Sequence, residues 1–564
     1  MIRTTALRRL VVAAAIAVTS SRPLIGQDTT RISTDSFGTE GNDYSFWPAL
    51  SADGAIVAFQ SDATNLVAND TDGMWDLFVC DRVTGIVTRV NVDSSGAEAN
   101  AYCYFNSAQS MSADGNRVAF VSMASNLCAN DTNGSVDVFV HDRANAVTER
   151  VSVDSSGSEA NNSSDVCVLS ADGNVVAFRS AASNLVSNDT NRSPDVFVRD
   201  LSTGSTERVS VDSSGGEADG DSGGTLSISA DGRFVAFASL ATNLVSGDKN
   251  HKQDIFVRDR LLGTTERVSV SPTGGGGNGW SDHPSISGDG RFVAFLSSAT
   301  NLVANDTNGV EDAFVFDRAT ATMVRANVDS AGAETTGDVG WPTMSLDGRV
   351  VTFDGTATDL VAGDTNQRRD CFVHDLATGA TARISVDSTG AEGNDDSGGF
   401  IAISADHGVF AFASGATNLI ASDTNGFADV FVHEACSLPA AWSNYGTGLA
   451  GTLGVPALVS NQFPVLGSTI SVDVGNSLGA PTIGVLLVGT QQGAFHTKFG
   501  ADVLVAPTLL VPISFSYGSD SFTGTLPSAV ELCGTSIDLQ VLELDPGAPF
   551  GVSFTPGLEL ALGR

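Results

Sequence analysis

The sequence predicts an all-β protein: a seven-bladed β-propeller closed by an N-terminal strand, followed by a small antiparallel β-sandwich. Three observations carry this. An S-x-D-G string or a near relative recurs with its Asp at Asp53, Asp114, Asp172, Asp231, Asp289, Asp347 and Asp406. A Phe stands six residues after each, from Phe59 to Phe412, and an Asp-x-Phe follows, from Asp76 and Phe78 to Asp429 and Phe431. The Asp spacings are 61, 58, 59, 58, 58 and 59 residues, a register that chance does not keep over seven copies.

Taken in order, residues 1–27 read as a secretory signal peptide. Arg3, Arg8 and Arg9 precede an apolar run from Leu10 to Val18, too short to span a membrane, with cleavage expected between Ala17 and Gln27. The Arg8-Arg9 pair fits a twin-arginine signal only loosely. No cysteine near the cut suggests a lipid anchor, and no later run of 18 apolar residues predicts a membrane span. The expected location is secreted, periplasmic or extracellular.

Residues 28–435 form the predicted propeller. In the second repeat, S-A-Q-S-M-S, R-V-A-F-V-S, D-V-F-V-H-D and T-E-R-V-S-V are short β-branched and aromatic runs separated by Gly, Asn and Asp turns, hence four strands. Such sheets bury their faces against one another. The last repeat stops at Val432-His433-Glu434 without its T-x-R-V-S-V strand, whereas Thr29-Thr30-Arg31-Ile32-Ser33-Thr34 is that strand with nothing before it. Arg31 to Thr34 is therefore expected to complete the seventh blade and remove the open edge. Residues 436–564 lose the repeat register and carry few charges. Runs such as Thr469 to Val474, Ile483 to Val488 and Leu509 to Ser514 alternate with Gly and Pro turns, which suits the β-sandwich.

The motif P-x-[LIM]-S-x-D-G, then V-A-F, then D-[VIL]-F-V-x-D resembles the PD40, or WD40-like, repeat of TolB-type propellers in secreted bacterial proteins. Pro48, Asp53, Gly54, Phe59, Asp76 and Phe78 carry it in the first repeat. The resemblance implies the fold over residues 28–435 and little about activity, because such propellers serve as binding platforms, substrate gates and enzymes. The N-L-V-x-N-D-T-N-G insertion departs from the shortest members. The C-terminal segment resembles β-rich modules that recur on secreted bacterial proteins.

The chain has 65 acidic and 29 basic side chains, a net charge of −36, so no basic stripe is available to track nucleic-acid phosphates. A hydrophobic fraction of 42% is ample for a core. In an antiparallel blade the N-D-T-N-G loops and the V-D-S-S-G-x-E-A-N crossovers share one face. Turns with Arg82, Arg143, Arg260 and Arg318, and strands begun by Arg89, Arg150 and Arg208, are expected on the other. The disk should be electrostatically two-sided, favouring a basic or cationic partner. Within the acidic loops, Asp131, Asn133 and Asp137; Asp306, Asn308 and Asp312; and Asp423, Asn425 and Asp429 have oxygen side chains at a spacing that calcium would use. The competing reading is Asx turns that hold the loop. No other cofactor is expected.

Catalytic look-alikes are better explained by structure. Gly220-Asp221-Ser222-Gly223-Gly224 falls in a crossover and is partly repeated as Asp396-Ser397-Gly398-Gly399. Gly475-Asn476-Ser477-Leu478-Gly479 lacks the helix a nucleophile elbow needs. Gly274 to Gly277 lacks the Lys of a phosphate loop. His141, His374 and His433 share one strand position and read as packing residues. His251 and His283, with Asp254 and Asp282, are the remaining acid–base candidates in the repeats that depart most, where Lys249, Lys252 and the glycine run also stand. Seven cysteines without a C-x-x-C pair do not suggest zinc; Cys436 and Cys533 are either a bridge or two buried thiols. Trp442 and Tyr445 either stack on a sugar or pack at the domain junction.

The function expected from sequence is therefore a monomeric, non-catalytic binding or scaffold propeller that meets an unidentified protein or cell-surface partner through its acidic loop face. The alternative is an extracytoplasmic carbohydrate-active hydrolase or lyase with its site at the propeller mouth.

Overall fold

The computed structural model describes residues 28–562 except 72, 436–440, 465–467, 490–491, 498–501, 506, 508, 516, 518 and 527–535. The expected signal segment, Cys436 and Cys533 lie outside the described residues. Among the described residues there is no helix, and none that is long and apolar enough to cross a membrane. Two compact units are present, one spanning Thr29–His433 and the other containing Glu434 onward.

Among the described residues the first unit contains seven four-stranded antiparallel sheets. The first sheet shows how the repeat motif builds one: Ser45–Leu50, Ile56–Ser61, Asp76–Asp81 and Ile86–Arg89 pair in that order. S-x-D-G is a self-contained turn. Ser51 Oγ donates to Asp53 Oδ1 (2.6 Å), the Ala55 N–H donates to the same oxygen (3.0 Å), and the Ile56 N–H donates to Ser51 Oγ (2.9 Å). Gly54 has φ +70°, and a Cβ there would lie 2.7 Å from Val409 of the seventh sheet, so both backbone conformation and packing require glycine. The two repeat phenylalanines face each other across the middle strands, Phe59 opposite Phe78 with ring centroids 5.8 Å apart, and both are fully buried. Such a pair adds roughly 1 kcal/mol beyond its area burial.

Consecutive sheets are joined at both ends of the innermost strand. Ala52 N–H donates to Ala113 O and Ala113 N–H to Ala171 O, each at 2.8 Å, and Ala405 N–H donates to Ala52 O at 2.7 Å. At the other end Cys103 N–H donates to Trp75 O (3.3 Å), Ser164 N–H to Val136 O (2.8 Å) and Ser45 N–H to Ala428 O (2.8 Å). The seventh sheet has the order Asp28–Arg31, Asp429–Glu434, Val409–Ser414, Ser397–Ile403. The N-terminal strand thus lies beside Asp429–Glu434 but ends at Arg31, where Arg31–Thr34 was expected; Thr34 instead makes an isolated bridge to Glu40.

The second sheet departs from expectation. Its inner strand is only Cys103–Tyr104, and S-A-Q-S-M-S is not a continuous strand. The longest repeat spacing explains this: the extra residues before Asp114 let Phe105 to Ser110 leave the sheet and run inward.

In the second unit a six-stranded sheet (order Ala441–Tyr445, Gly557–Ala561, Ser536–Leu544, Thr482–Gly489, Leu509–Phe515, with Val552–Phe554 also on Ser536–Leu544) and a three-stranded sheet (Leu458–Ser460, Thr469–Gly475, Ser519–Thr525) share one apolar core. Val472 and Val474 of the smaller sheet meet Leu486, Val541 and Leu558 of the larger in that core.

Candidate functional site

Two constellations in the first unit stand out: a repeated ion-pair node at the loop end and an aromatic arc on the inner strands. The node is built once per sheet. In the second sheet Arg150 NH1 lies 2.6 Å from Glu159, 3.5 Å from Asp137 and 3.6 Å from Asp131. The equivalents are Arg89, Arg208, Arg267, Arg325 and Arg383, and Arg31 from the N-terminal strand, which reaches Glu40 (2.8 Å), Asp429 (3.2 Å) and Asp423 (3.6 Å). These arginines end the outer strands rather than beginning them, so they lie at the acidic-loop end. This corrects the two-sided charge distribution expected from sequence: each carboxylate group carries its own cation. The other arginine set falls where expected, Arg82 and Arg143 donating to Gly54 O and Gly115 O at 2.6 Å across the first and third turns.

The calcium candidates sit inside these nodes. Asn133 donates its Nδ2 to Asp137 Oδ2 (3.0 Å), and its Oδ1 accepts the Ser135 N–H (2.6 Å). Asn308 and Asn425 do the same with Asp312 and Asp429, at 2.9 and 3.3 Å, while accepting the Val310 and Phe427 N–H groups. Each Asn oxygen is thus engaged by backbone, and the guanidinium stands among the carboxylates of Asp131 and Asp137, of Asp306 and Asp312, and of Asp423 and Asp429. Burial and the neighbouring Asp370 push Asp364 up to about 6 in the sixth node. Glu159 and Glu217 are partly desolvated, which works the other way, yet the Thr132 and Thr190 N–H and hydroxyl groups hold them at about 2.

The arc is a feature that sequence reading missed. Equivalent inner-strand positions hold Trp47, His283, Trp341 and Phe400, with His283–Trp341 centroids 4.5 Å apart, Trp341–Phe400 4.6 Å and Trp47–Phe400 6.3 Å. All four rings are half-buried. Trp47, His283 and Trp341 have φ of +54°, +53° and +46°, each at a register shift of its strand. Bulky side chains rarely take this backbone conformation, and it persists only where the surroundings enforce it. The signal was available in Trp47-Pro48, His283-Pro284 and Trp341-Pro342, where the residue before the repeat's Pro is the one displayed.

Asn106 to Gln109, from the irregular second sheet, line one cavity together with His283, Trp341 and Phe400. Gln109 Oε1 accepts from Ser227 Oγ (2.8 Å) and the Ile228 N–H (3.1 Å), and its Nε2 donates to Ile228 O (3.2 Å). Asn106 Oδ1 accepts the Cys167 N–H (3.2 Å). Cavities of about 40 and 80 Å³ flank Ala108 and Gln109, enough for a few waters, and the smaller opens beside His283, Trp341 and Phe400. In the first repeat, burial and the nearby Asp43 raise Asp62 to about 6.

The serines, the strand histidines and the aspartates singled out as catalytic candidates are engaged by neighbours, whereas His251 is exposed. Ser222 and Ser397 bond Ser239 and Ser414 (2.8 and 2.7 Å), a serine pair repeated in other sheets. Ser477 Oγ is buried with Ser553 and Asp545 (2.6 and 3.0 Å). His141, His374 and His433 each bond a threonine hydroxyl of the adjacent outer strand: Thr148, Thr381 and Thr29, at 2.8 to 2.9 Å. Asp254 is paired with Arg267, whereas Asp282 accepts the Thr225 hydroxyl and the His283 N–H. Among the described residues Cys80, Cys128, Cys167 and Cys371 are free thiols, and Cys103 Sγ lies 3.1 Å from Ser122 Oγ. In the second unit Trp442 packs on the core and Tyr445 donates its hydroxyl to Leu504 O (3.2 Å).

No family model and no curated protein matches the chain. Solved structures it is similar to include TolB from Agrobacterium tumefaciens (14% identity, 62% of this chain and 93% of that one, TM-score 0.32). A prolyl endopeptidase is another (10% identity, 79% and 55%, TM-score 0.42). A third is the extracellular domain of a hybrid two-component system from B. thetaiotaomicron (10% identity, 95% and 59%, TM-score 0.35). With TM-scores below 0.5 these likenesses carry no argument for this chain. Among the described residues it is all-β, with repeated four-stranded antiparallel sheets.

Proposed function

We propose that the seven sheets are the blades of a closed propeller, that the N-terminal strand completes the last of them, and that the protein works outside the cytoplasm as a non-catalytic binding platform. Support for closure comes from the contacts between the first and seventh sheets and from Thr29 and Arg31, which make the hydrogen bonds and ion pairs that Thr148 and Arg150 make in the second sheet. In this reading residues 436–564 are an appended β-sandwich.

The binding face is the loop end, with the aromatic arc at its centre, and the partner is a protein or cell surface. One observation carries this: three bulky residues held at positive φ with their rings only half-covered. Strain of this kind costs on the order of 1–3 kcal/mol per residue and concentrates where a ligand is met. The calcium candidates serve as the fixed acceptors of the arginine nodes; a calcium titration with neither heat nor a melting shift is expected, and a clear shift would reassign them.

Affinity capture from the secreted compartment tests the platform. The native chain should retain a partner that the Trp47→Ala/Trp341→Ala variant loses while keeping its melting temperature. Equal retention by a folded variant would remove the arc from the binding face.

A further inference from the structure

The fourth node differs from its six sisters, and all its differences have one sign. Elsewhere the crossover Glu accepts from the loop: Thr132 and Thr190 donate both N–H and hydroxyl to Glu159 and Glu217 at 2.7–2.8 Å, and Thr307 and Thr424 engage Glu334 and Glu40 likewise. In the fourth repeat that Glu is Gly276 and the Thr is Lys249. The turn-forming Asp of the crossover is Ser271, and Lys252 stands where the second sheet has Ser135. The chain contains three lysines in all, and two are here, three apart in sequence. Two acids are therefore lost and two cations gained at one node. Arg267, without its Glu, lies 3.0 Å from Asp248 and 3.2 Å from Asp254. The loop is fixed against the next inner strand, with Ser281 N–H donating to Gln253 O (2.9 Å) and Gln253 Nε2 to Ser281 O (3.3 Å).

We propose that the fourth node receives a glutamate side chain from a partner polypeptide, whose carboxylate takes the place held by the chain's own Glu in the sister nodes, between Arg267 and Lys249. The geometry on which this rests is the sister nodes themselves: they show a peptide carboxylate bound by this loop and this arginine. A Cβ at Gly276 would lie 2.7 Å from Asn250 Nδ2 and 2.9 Å from Arg267 NH1. Asn250 keeps its bonds to Asp254 Oδ2 (2.7 Å) and Gly277 O (3.1 Å), as its counterparts do, while Arg267, a long side chain, would swing from Asp248 back towards the incoming carboxylate. A polypeptide is favoured over a long polyanion because the surrounding loops are acidic, and only this node would welcome negative charge. The inference deepens the binding-platform reading by naming what one sector of the loop end recognises.

The probe is a synthetic peptide with the second crossover sequence, residues 153–161, which carries Glu159. Titrated into the full chain at low salt, it should bind in the millimolar range or better by calorimetry or NMR, and the version with Gln in place of Glu should bind at least tenfold more weakly. Gly276→Glu should refill the node from within, abolish peptide binding and leave or raise the melting temperature. Lys249→Thr/Lys252→Ser, at an exposed and a half-buried position, should weaken binding without unfolding the chain. Undetectable binding, binding indifferent to Gly276→Glu and to the lysine variant, or binding of an oligouronate but not of the peptide would each overturn the proposal. The arc is read separately by the Trp47 and Trp341 variant, so failure at the node leaves that reading intact.

Discussion

At the residue scale, the recurring unit is one guanidinium among three carboxylates. Arg150 is 9% exposed, Asp137 and Asp131 are 0% and 5% exposed, and Glu159 is 17% exposed. Removing one partner from a largely desolvated set leaves the remaining charges without compensation, a cost of about 3–5 kcal/mol, whereas an exposed surface pair is worth at most about 1 kcal/mol. Arg150→Met should therefore lower the unfolding free energy by about 3 kcal/mol in urea denaturation, and adding Glu159→Gln should restore part of it by reducing the stranded charge. A loss under 0.5 kcal/mol would show that the node is solvated. The residues of the node were legible in the sequence, because strict spacing marks them. Their arrangement was not. The Arg of T-x-R was placed at the start of its strand, and only the pairing of Phe139 with Arg150 shows that it reaches the end where Asp137 begins the neighbouring strand. The arc was hidden for another reason: its members differ in type from sheet to sheet, and a motif search rewards sameness.

At the scale of elements, the two informative ones are the N-terminal strand and the inward run of the second sheet. Thr29 Oγ1 donates to Val386 O (2.7 Å) and bonds His433 Nδ1 (2.9 Å), while Arg31 enters a node, so the strand is held by side chains as well as by its ladder. Deleting residues 28–36 should strip the seventh node of its cation and open a sheet edge, lowering the melting midpoint by 10 °C or roughly that, since 1 kcal/mol moves a large domain by about 2–4 °C. An unchanged midpoint would defeat the proposed closure. This strand was readable because it repeats a known unit at the wrong end of the chain. The inward run was not, since nothing in Phe105 to Ser110 specifies a destination; its only sign was the longer spacing. Gln109→Leu would leave the buried Ile228 N–H and Ser227 hydroxyl without their acceptor, a cost of about 1–3 kcal/mol. The expected result is a melting point lower by a few degrees with sheet content unchanged in far-ultraviolet circular dichroism.

For the whole molecule, a net charge of −36 and the opposed shifts of its carboxylates set the response to pH. Asp62 and Asp364 have their pKa raised to about 6 from a usual 3.8, chiefly by burial. Acids raised in this way ionise more readily in the unfolded chain, so they oppose folding at pH 7.5, and this penalty shrinks as pH falls from 6 towards 3.8. Glu159 and Glu217, held at about 2 against a usual 4.5, contribute stability that is present above 4.5 and lost as pH falls from there towards 2. Global self-repulsion also relaxes as carboxylates protonate. The three effects place the stability maximum between pH 4.5 and 6 rather than at neutrality. Calorimetric melting should give its highest midpoint near pH 5, lower at 7.5 and lower again at 3. Salt separates the causes: at 1 M the Debye length is about 3 Å, so long-range repulsion is screened while the desolvation of Asp62 and Asp364 is not. Salt should lift the midpoint at pH 7.5 towards that at pH 5 without closing the gap, and Asp364→Asn should narrow the remainder. A midpoint that falls steadily from pH 7.5 downwards would mean that the Glu contribution dominates and that the buried aspartates are hydrated in solution.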